Sequence, residues 1–152
     1  MMKGLSRTDF GLLFLRIGLG LTLVFFGAQK MLGVFGGAGY MNTVTFMHGK
    51  LGVPTPLAHI AIFAEFFGGL GVLCGLITSV ASLGIACTMA VAVYVNMRSP
   101  GVLLGIFEGD QGADPSKLFF PGSLCLTALT LLITGPGRIA LDAKLFKRTT
   151  KK

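Results

Sequence analysis

Arg16 and Glu65 each stand alone inside an apolar run of about the length that crosses a bilayer, from Phe10 to Gly27 and from Leu57 to Leu76. Such a run folds as a helix whose backbone is satisfied internally, and a lone charge within it must find a partner from elsewhere in the chain. The rest of the composition agrees. Charged residues make up 12% of the 152 residues, glycine supplies 23 of them, and the mean hydropathy is +0.79. A water-soluble domain of this size carries about twice that charge on its surface. The net charge of +7 lies largely in short terminal segments without interleaved aromatic residues, which argues against a nucleic-acid partner and for the lipid bilayer.

Hydropathy predicts four spans, at about 10–27, 57–76, 80–97 and 119–134. The predicted fold class is an all-α membrane protein, an antiparallel bundle of four transmembrane helices in one domain over 1–152. Ile77, Thr78 and Ser79 separate the second and third spans, so these form a helical hairpin. Between the first two spans, Tyr40 to Met47 is expected as a short interfacial helix. Glu108 to Pro115 reads as an acidic loop. Lys3, Arg7, Arg138, Lys144, Lys147, Arg148, Lys151 and Lys152 fall on one side of this arrangement, against Lys30, Lys50, Arg98 and Lys117 on the other. The excess of basic residues sets both termini in the cytoplasm. The first span is expected to be retained, because Arg16 interrupts its apolar core and no clean cleavage site follows.

Cys74, Cys87 and Cys125 form no C-x-x-C pair and lie at different depths, so they are expected as small buried apolar side chains. His48 and His59 fall outside the spans or at their rim, where neither provides an axial ligand for a membrane haem. No ligand spacing supports a metal at these histidines or at Glu108, Asp110 and Asp114. No haem and no metal are expected.

Helical geometry places Arg16, Gly20, Leu23, Gly27 and Lys30 on one face of the first span, with Glu65 at a depth between the two cations. Side chains lean toward the N-terminus of their own helix, so Lys30 and Glu65, on antiparallel helices, lean toward each other. Arg16 leans the other way, and its bond to Glu65 needs a favourable offset or a bridging water. Arg16, Glu65 and Lys30 are the candidate intramembrane charge network. Gly68 and Gly69, one turn beyond Glu65, permit close approach of a helix, a water or a ligand ring, as Gly20 and Gly27 do on the first span. Asn96 and Tyr94 reach the same outer half. They lie about 200° apart on their helix, so at most one points at Glu65.

Two readings follow. In one, the charges satisfy each other and lock helix register. In the other, Glu65, Lys30, Asn96 and Tyr94 form a ligand-binding site in which the carboxylate deprotonates a small quinol-like or thiol-bearing molecule. A proton or solute path has less support, for there is no broken-helix repeat.

Three segments carry a resemblance: L-R-I-G-L-G-L-T-L-V-F-F-G-A-Q-K from Leu15, A-E-F-F-G-G-L-G-V-L-C-G-L-I-T from Ala64, and G-P-G-R-I-A-L-D from Gly135. In succession they resemble the DoxX family over nearly the whole chain. The resemblance implies a bacterial inner-membrane protein linked to quinone-dependent sulfur or thiol oxidation, with quinone as the implied cofactor and a membrane or soluble redox protein as partner. It also implies a rival role, a non-catalytic scaffold or assembly factor for other membrane proteins. Arg16, Gly27, Lys30, Glu65, Gly68, Gly69, Gly75, Thr78, Arg138 and Asp142 occupy recurring positions of that pattern. The third span departs from it, since relatives often place a histidine where Tyr94 to Asn96 stand. Arg138 and Asp142 are spaced for one turn of a surface helix whose lysines meet anionic headgroups. Gly71-x-x-x-Gly75 permits a homodimer.

Overall fold

The computed structural model describes residues 6–98 and 114–143, and its regular structure is entirely helical. Most of the acidic loop, including Glu108 and Asp110, and the basic residues from Lys144 onward lie outside the described residues.

Helix α1 (Arg7–Leu32) starts three residues ahead of its apolar run because Ser6 and Asp9 form a capping box: Ser6 Oγ accepts from Thr8 N, and Asp9 accepts from Ser6 N at 2.9 Å. It passes through Gly27 and stops at Gly33, which adopts a left-handed φ of 69°. Helix α2 (Tyr40–Gly49) is the short helix between the first two spans. Helix α3 (Thr55–Cys74) opens with a proline at its first turn, where the missing N–H costs nothing. Gly75, at φ 72°, ends it in a Schellman turn: Gly75 N donates to Val72 O and Leu76 N to Gly71 O. Helix α4 (Thr78–Arg98) therefore begins earlier than its hydropathy indicates, and the hairpin turn is Gly75 to Ile77 rather than Ile77 to Ser79. Helix α5 (Ser116–Thr134) contains Pro121.

α1 packs on α3, α3 on α4 and α4 on α5, while α5 closes only lightly on α1. Each neighbour runs antiparallel to the next. α2 lies on α3 and α1 at the end remote from the termini. Leu12, Leu19, Leu23, Val72, Ile85, Met89, Ala128 and Leu131 fill the interior, and Val44, Val53, Ala58 and Ile62 form a second cluster under α2. Large apolar side chains, among them Phe14, Leu21, Phe67, Val80, Leu126 and Ile133, point outward. This inverts the usual distribution of a soluble protein and suits four helices long and apolar enough to cross a membrane.

Glycine brings α1 and α3 into backbone contact. A Cβ at Gly27 would lie 2.7 Å from Phe66 Cα, one at Gly69 2.9 Å from Val24 N, and one at Gly20 2.8 Å from Leu73 Cβ. Gly68 faces the other way, toward Ile85 of α4. Gly68 and Gly69 thus serve two different helix contacts instead of lining one gap. Gly71 and Gly75 likewise meet their own chain, at Ala81 and at Arg16 respectively.

Two further expectations need correction. Cys74 and Cys87 are exposed, and Cys125 is half-buried. Residues 138–140 form turns, and helical structure resumes only at 141–143. The segment is no surface helix at Arg138: Ala140 and Asp142 are buried against the α3–α4 hairpin.

Candidate functional site

The three intramembrane charges divide into two sites. Arg16, 2% exposed, is fixed near the end that carries the termini. Its Nε donates to Val72 O at 3.0 Å, its Nη2 to Leu73 O at 3.2 Å and its Nη1 to Pro136 O at 3.2 Å. These first two carbonyls belong to the last turn of α3, where no intrahelical donor remains for most of them and the helix dipole is negative. Arg16 is therefore a C-cap supplied from another helix, and it does not join Glu65 in the network expected from sequence. Gly75 lies directly against the guanidinium, where a Cβ would collide with it.

Asp142 completes this clasp at the neighbouring helix start. Its carboxylate accepts from Ile77 N and Thr78 N, each at 2.8 Å, while its own N–H donates to Gly75 O at 2.9 Å. The anion caps the N-terminus of α4 and holds Ile77 at φ 48°, a conformation β-branched residues rarely adopt. Burial raises the Asp142 pKa, but the Thr78 and Ile77 amides and the nearby Arg16 charge outweigh it and hold the group below the ordinary carboxylate value. Asp9 extends the arrangement by accepting from Arg138 N at 3.1 Å.

The second site is the Lys30–Glu65 ion pair, in which Nζ lies 2.5 Å from Oε2 and 2.7 Å from Oε1. The opposed leans of the two side chains meet as helical geometry requires. Glu65 is 6% exposed and Lys30 37%. Two cavities meet at the pair. One, of about 500 Å³, lies between α1, α4 and α5 and is lined by Leu23, Phe26, Met89, Phe120, Pro121 and Leu124, with Ser116 and Lys117 at the start of α5. The other, of about 310 Å³, lies under α2 between α3 and α4 and is lined by Phe46, Met47, Val53, Ile60, Cys87 and Val91, among others. Lys30, Glu65, Ala92 and Asn96 line both.

Asn96 therefore reaches the site, its amide also donating to Ala92 O at 2.9 Å. Tyr94 does not. It is 56% exposed, lies beneath the Arg98 guanidinium and lines neither cavity. The rotation of α4 makes the choice that sequence spacing left open. Gly20, Gly27, Gly68 and Gly69 line neither cavity and act in helix packing.

Several contributing residues were not singled out from sequence. Phe26, Met89, Phe120, Pro121 and Leu124 look like ordinary apolar positions, and only the packing shows that they enclose polar groups. Tyr40 and His59 are hydrogen-bonded, Oη to Nδ1 at 2.6 Å, and their rings are stacked, which ties α2 to α3. A tyrosine at the start of one helix and a histidine near the start of the next was the available signal. His48 sits apart, with Nδ1 3.2 Å from Val53 O.

Chemically, the pair offers a cationic donor and an anionic acceptor side by side in apolar surroundings. Such an arrangement favours a ligand presenting both hydrogen-bond polarities on a flat or small body.

Comparison with known proteins adds an independent line. The chain is similar to "Putative oxidoreductase CatD" of Bacillus subtilis, 29% identical over 140 residues that cover 91% of this chain and 90% of that protein. It is similar to "Inner membrane protein YqjF" of Escherichia coli, 28% identical over 142 residues covering 92% and 95%. No solved structure matches it. The model of the DoxX family matches residues 11–97, a stretch holding Arg16, Lys30, Glu65 and Asn96. With more than half its length under that match and all four helices in place, the chain belongs to the DoxX family.

Proposed function

We propose that the protein is an accessory subunit of a quinone-linked redox system of the bacterial inner membrane, one that serves thiol or sulfur oxidation. The observation that carries this reading is an ion pair of a buried Glu65 and a partly exposed Lys30, forming the common wall of two largely apolar cavities inside a membrane bundle. A quinone ring has hydrogen-bond acceptors at opposite ends, and its reduced form has donors there. Lys30 would hold a carbonyl oxygen, Glu65 would accept from a hydroxyl, and Asn96 would orient the ring; each cavity is of the size that small-molecule sites occupy. The bound quinone would supply the electron-accepting chemistry. The chain's own part is to hold the ring, exclude water and pass a proton between Glu65 and the ring oxygen, toward the ring as it is reduced and back as it is reoxidised. The printed name of CatD points toward oxidoreduction and that of YqjF toward the inner membrane. Both termini would face the cytoplasm, an orientation that the excess of basic residues on that side supports.

Protein purified in nanodiscs containing a defined ubiquinone, then extracted and assayed for bound quinone, tests the reading. Wild type is expected to retain the quinone. Glu65→Gln, which removes a hydrogen bond to a charged group, is expected to bind it roughly 10-fold to 100-fold more weakly. Equal retention by both proteins would contradict the proposal.

The scaffold reading draws on a third surface. A largely apolar groove between α3 and α4, lined by Phe63, Phe67, Gly68, Gly71, Val80 and Gly84 with His59 as its polar side chain, faces outward. Capture of a membrane partner, unchanged in Glu65→Gln and lost on widening Gly84 to leucine, would favour it.

A further inference from the structure

The two cavities at Lys30–Glu65 differ in how they are closed. The one under α2 is roofed by a helix anchored through Tyr40–His59 and through its own cluster of Val44, Val53, Ala58 and Ile62. The one between α1 and α5 lies at the most lightly packed junction of neighbouring spans. Phe26 of α1 and Phe120 of α5 meet across that junction edge to face, with ring centroids 5.4 Å apart. Both rings line the cavity, and both are also exposed on the outer surface that the bilayer covers. Pro121 follows directly. Having no N–H, it cannot bond the Lys117 carbonyl, so α5 lacks one rung of its ladder at the level of the junction. Leu23, Met89 and Leu124 line the same cavity, together with the ion pair.

We infer that Phe26 and Phe120 are the two leaves of a lateral gate between α1 and α5, and that the ligand of the Lys30–Glu65 site arrives through it from the lipid phase. The ligand class follows: a hydrogen-bonding ring carrying a long hydrocarbon tail, the ring at the ion pair and the tail left in the seam between the helices. A water-soluble ligand of the same ring chemistry has no use for such a route. The identity of the ring rests on the function proposed above, whereas the gate itself rests only on the packing.

Two measurements separate these parts. In the first, protein in nanodiscs is photolabelled with a diazirine-bearing decanol, a probe with no quinone chemistry, and the labelled residues are mapped by mass spectrometry. Wild type is expected to show label inside the seam at Met89 or Leu124, with labelling roughly threefold to tenfold higher in Phe120→Ala, the equilibrium equivalent of one edge-to-face ring pair. Phe46→Ala, on the α2 side, is expected to leave it unchanged. Label confined to outward residues such as Phe14 and Ile133 in both wild type and Phe120→Ala overturns the gate. So does internal labelling raised by Phe46→Ala and not by Phe120→Ala, which would place the route under α2.

In the second, binding kinetics of decyl-ubiquinone are compared with those of its tail-less analogue. Phe120→Ala is expected to raise association and dissociation of the tailed quinone by a similar factor, leaving Kd within about twofold. Phe120→Trp, which keeps an aromatic leaf and fills the seam further, is expected to slow both. Absence of quinone binding together with gated internal labelling would remove the proposed function and keep the gate. Equal binding of tailed and tail-less quinones, with rates indifferent to position 120, would overturn the ligand class.

Discussion

At the scale of single residues, the membrane-embedded charges persist because each has a different kind of partner. Arg16 neutralises backbone carbonyls, and Glu65 meets an ammonium. Removing one member of a buried ion pair costs about 3–5 kcal/mol, and the partial exposure of Lys30 places this pair at the lower end. Lys30→Ala is thus expected to lose about 3 kcal/mol, read as a fall in the detergent or thermal midpoint, with Lys30→Ala/Glu65→Leu recovering most of it. A non-additive double mutant is the signature of the pair; additive losses would show that the two groups act separately. Ser82 supplies the opposite case. Its Oγ is buried without a hydrogen-bond partner among the described residues. Ser82→Ala is expected to stabilise the bundle by about 1 kcal/mol, visible as a higher thermal midpoint.

At the scale of elements, the α3–α4 hairpin is held from outside itself. Its turn is three residues long, includes Ile77 in a left-handed conformation, and relies on Arg16 for the end of α3 and Asp142 for the start of α4. The folded-state pKa of Asp142 is depressed, so its contribution is complete above the unfolded-state value of about 3.9 and is lost as pH falls through the lower folded value. Stability measured in detergent is expected to be insensitive to this group from pH 5 to 8 and to decline below about pH 4. Asp142→Asn should lower stability at neutral pH and flatten that acid limb. A variant retaining the full acid-dependent loss would show that another carboxylate is responsible.

At the scale of the whole molecule, the ring of four helices is uneven. α1 and α3 touch through backbone at Gly20, Gly27 and Gly69, whereas α1 and α5 enclose a cavity with Pro121 beside it. Amide exchange in nanodiscs is expected to be faster from Phe119 to Leu124 than from Gly20 to Gly27, since opening of a lightly packed, proline-interrupted segment costs less. Uniform protection of both stretches would mean that the seam is as tight as the rest. The same unevenness explains what was readable beforehand. The spans and the α2 helix follow from runs of apolar residues, whereas their ends at Ser6, Gly33 and Gly75 are set by capping that hydropathy does not read. The meeting of Lys30 with Glu65 follows from the direction in which helical side chains lean. The walls of the cavities do not, because Phe26, Met89 and Leu124 carry no mark that separates them from lipid-facing neighbours.

What the sequence by itself determined is the solvent, the number of spans and the depth of each charge, since hydropathy and rise per residue are properties of a local stretch. The tertiary structure alone decided that Arg16 serves α3 in place of Glu65, that Asn96 and not Tyr94 faces inward, and that Asp142 caps a helix rather than riding on one. Each of these depends on how one segment sits against another, and the first and last also on bonds between residues 56 to 120 positions apart. A periodic pattern that is apolar on both its lipid face and its core face gives no reading of that rotation.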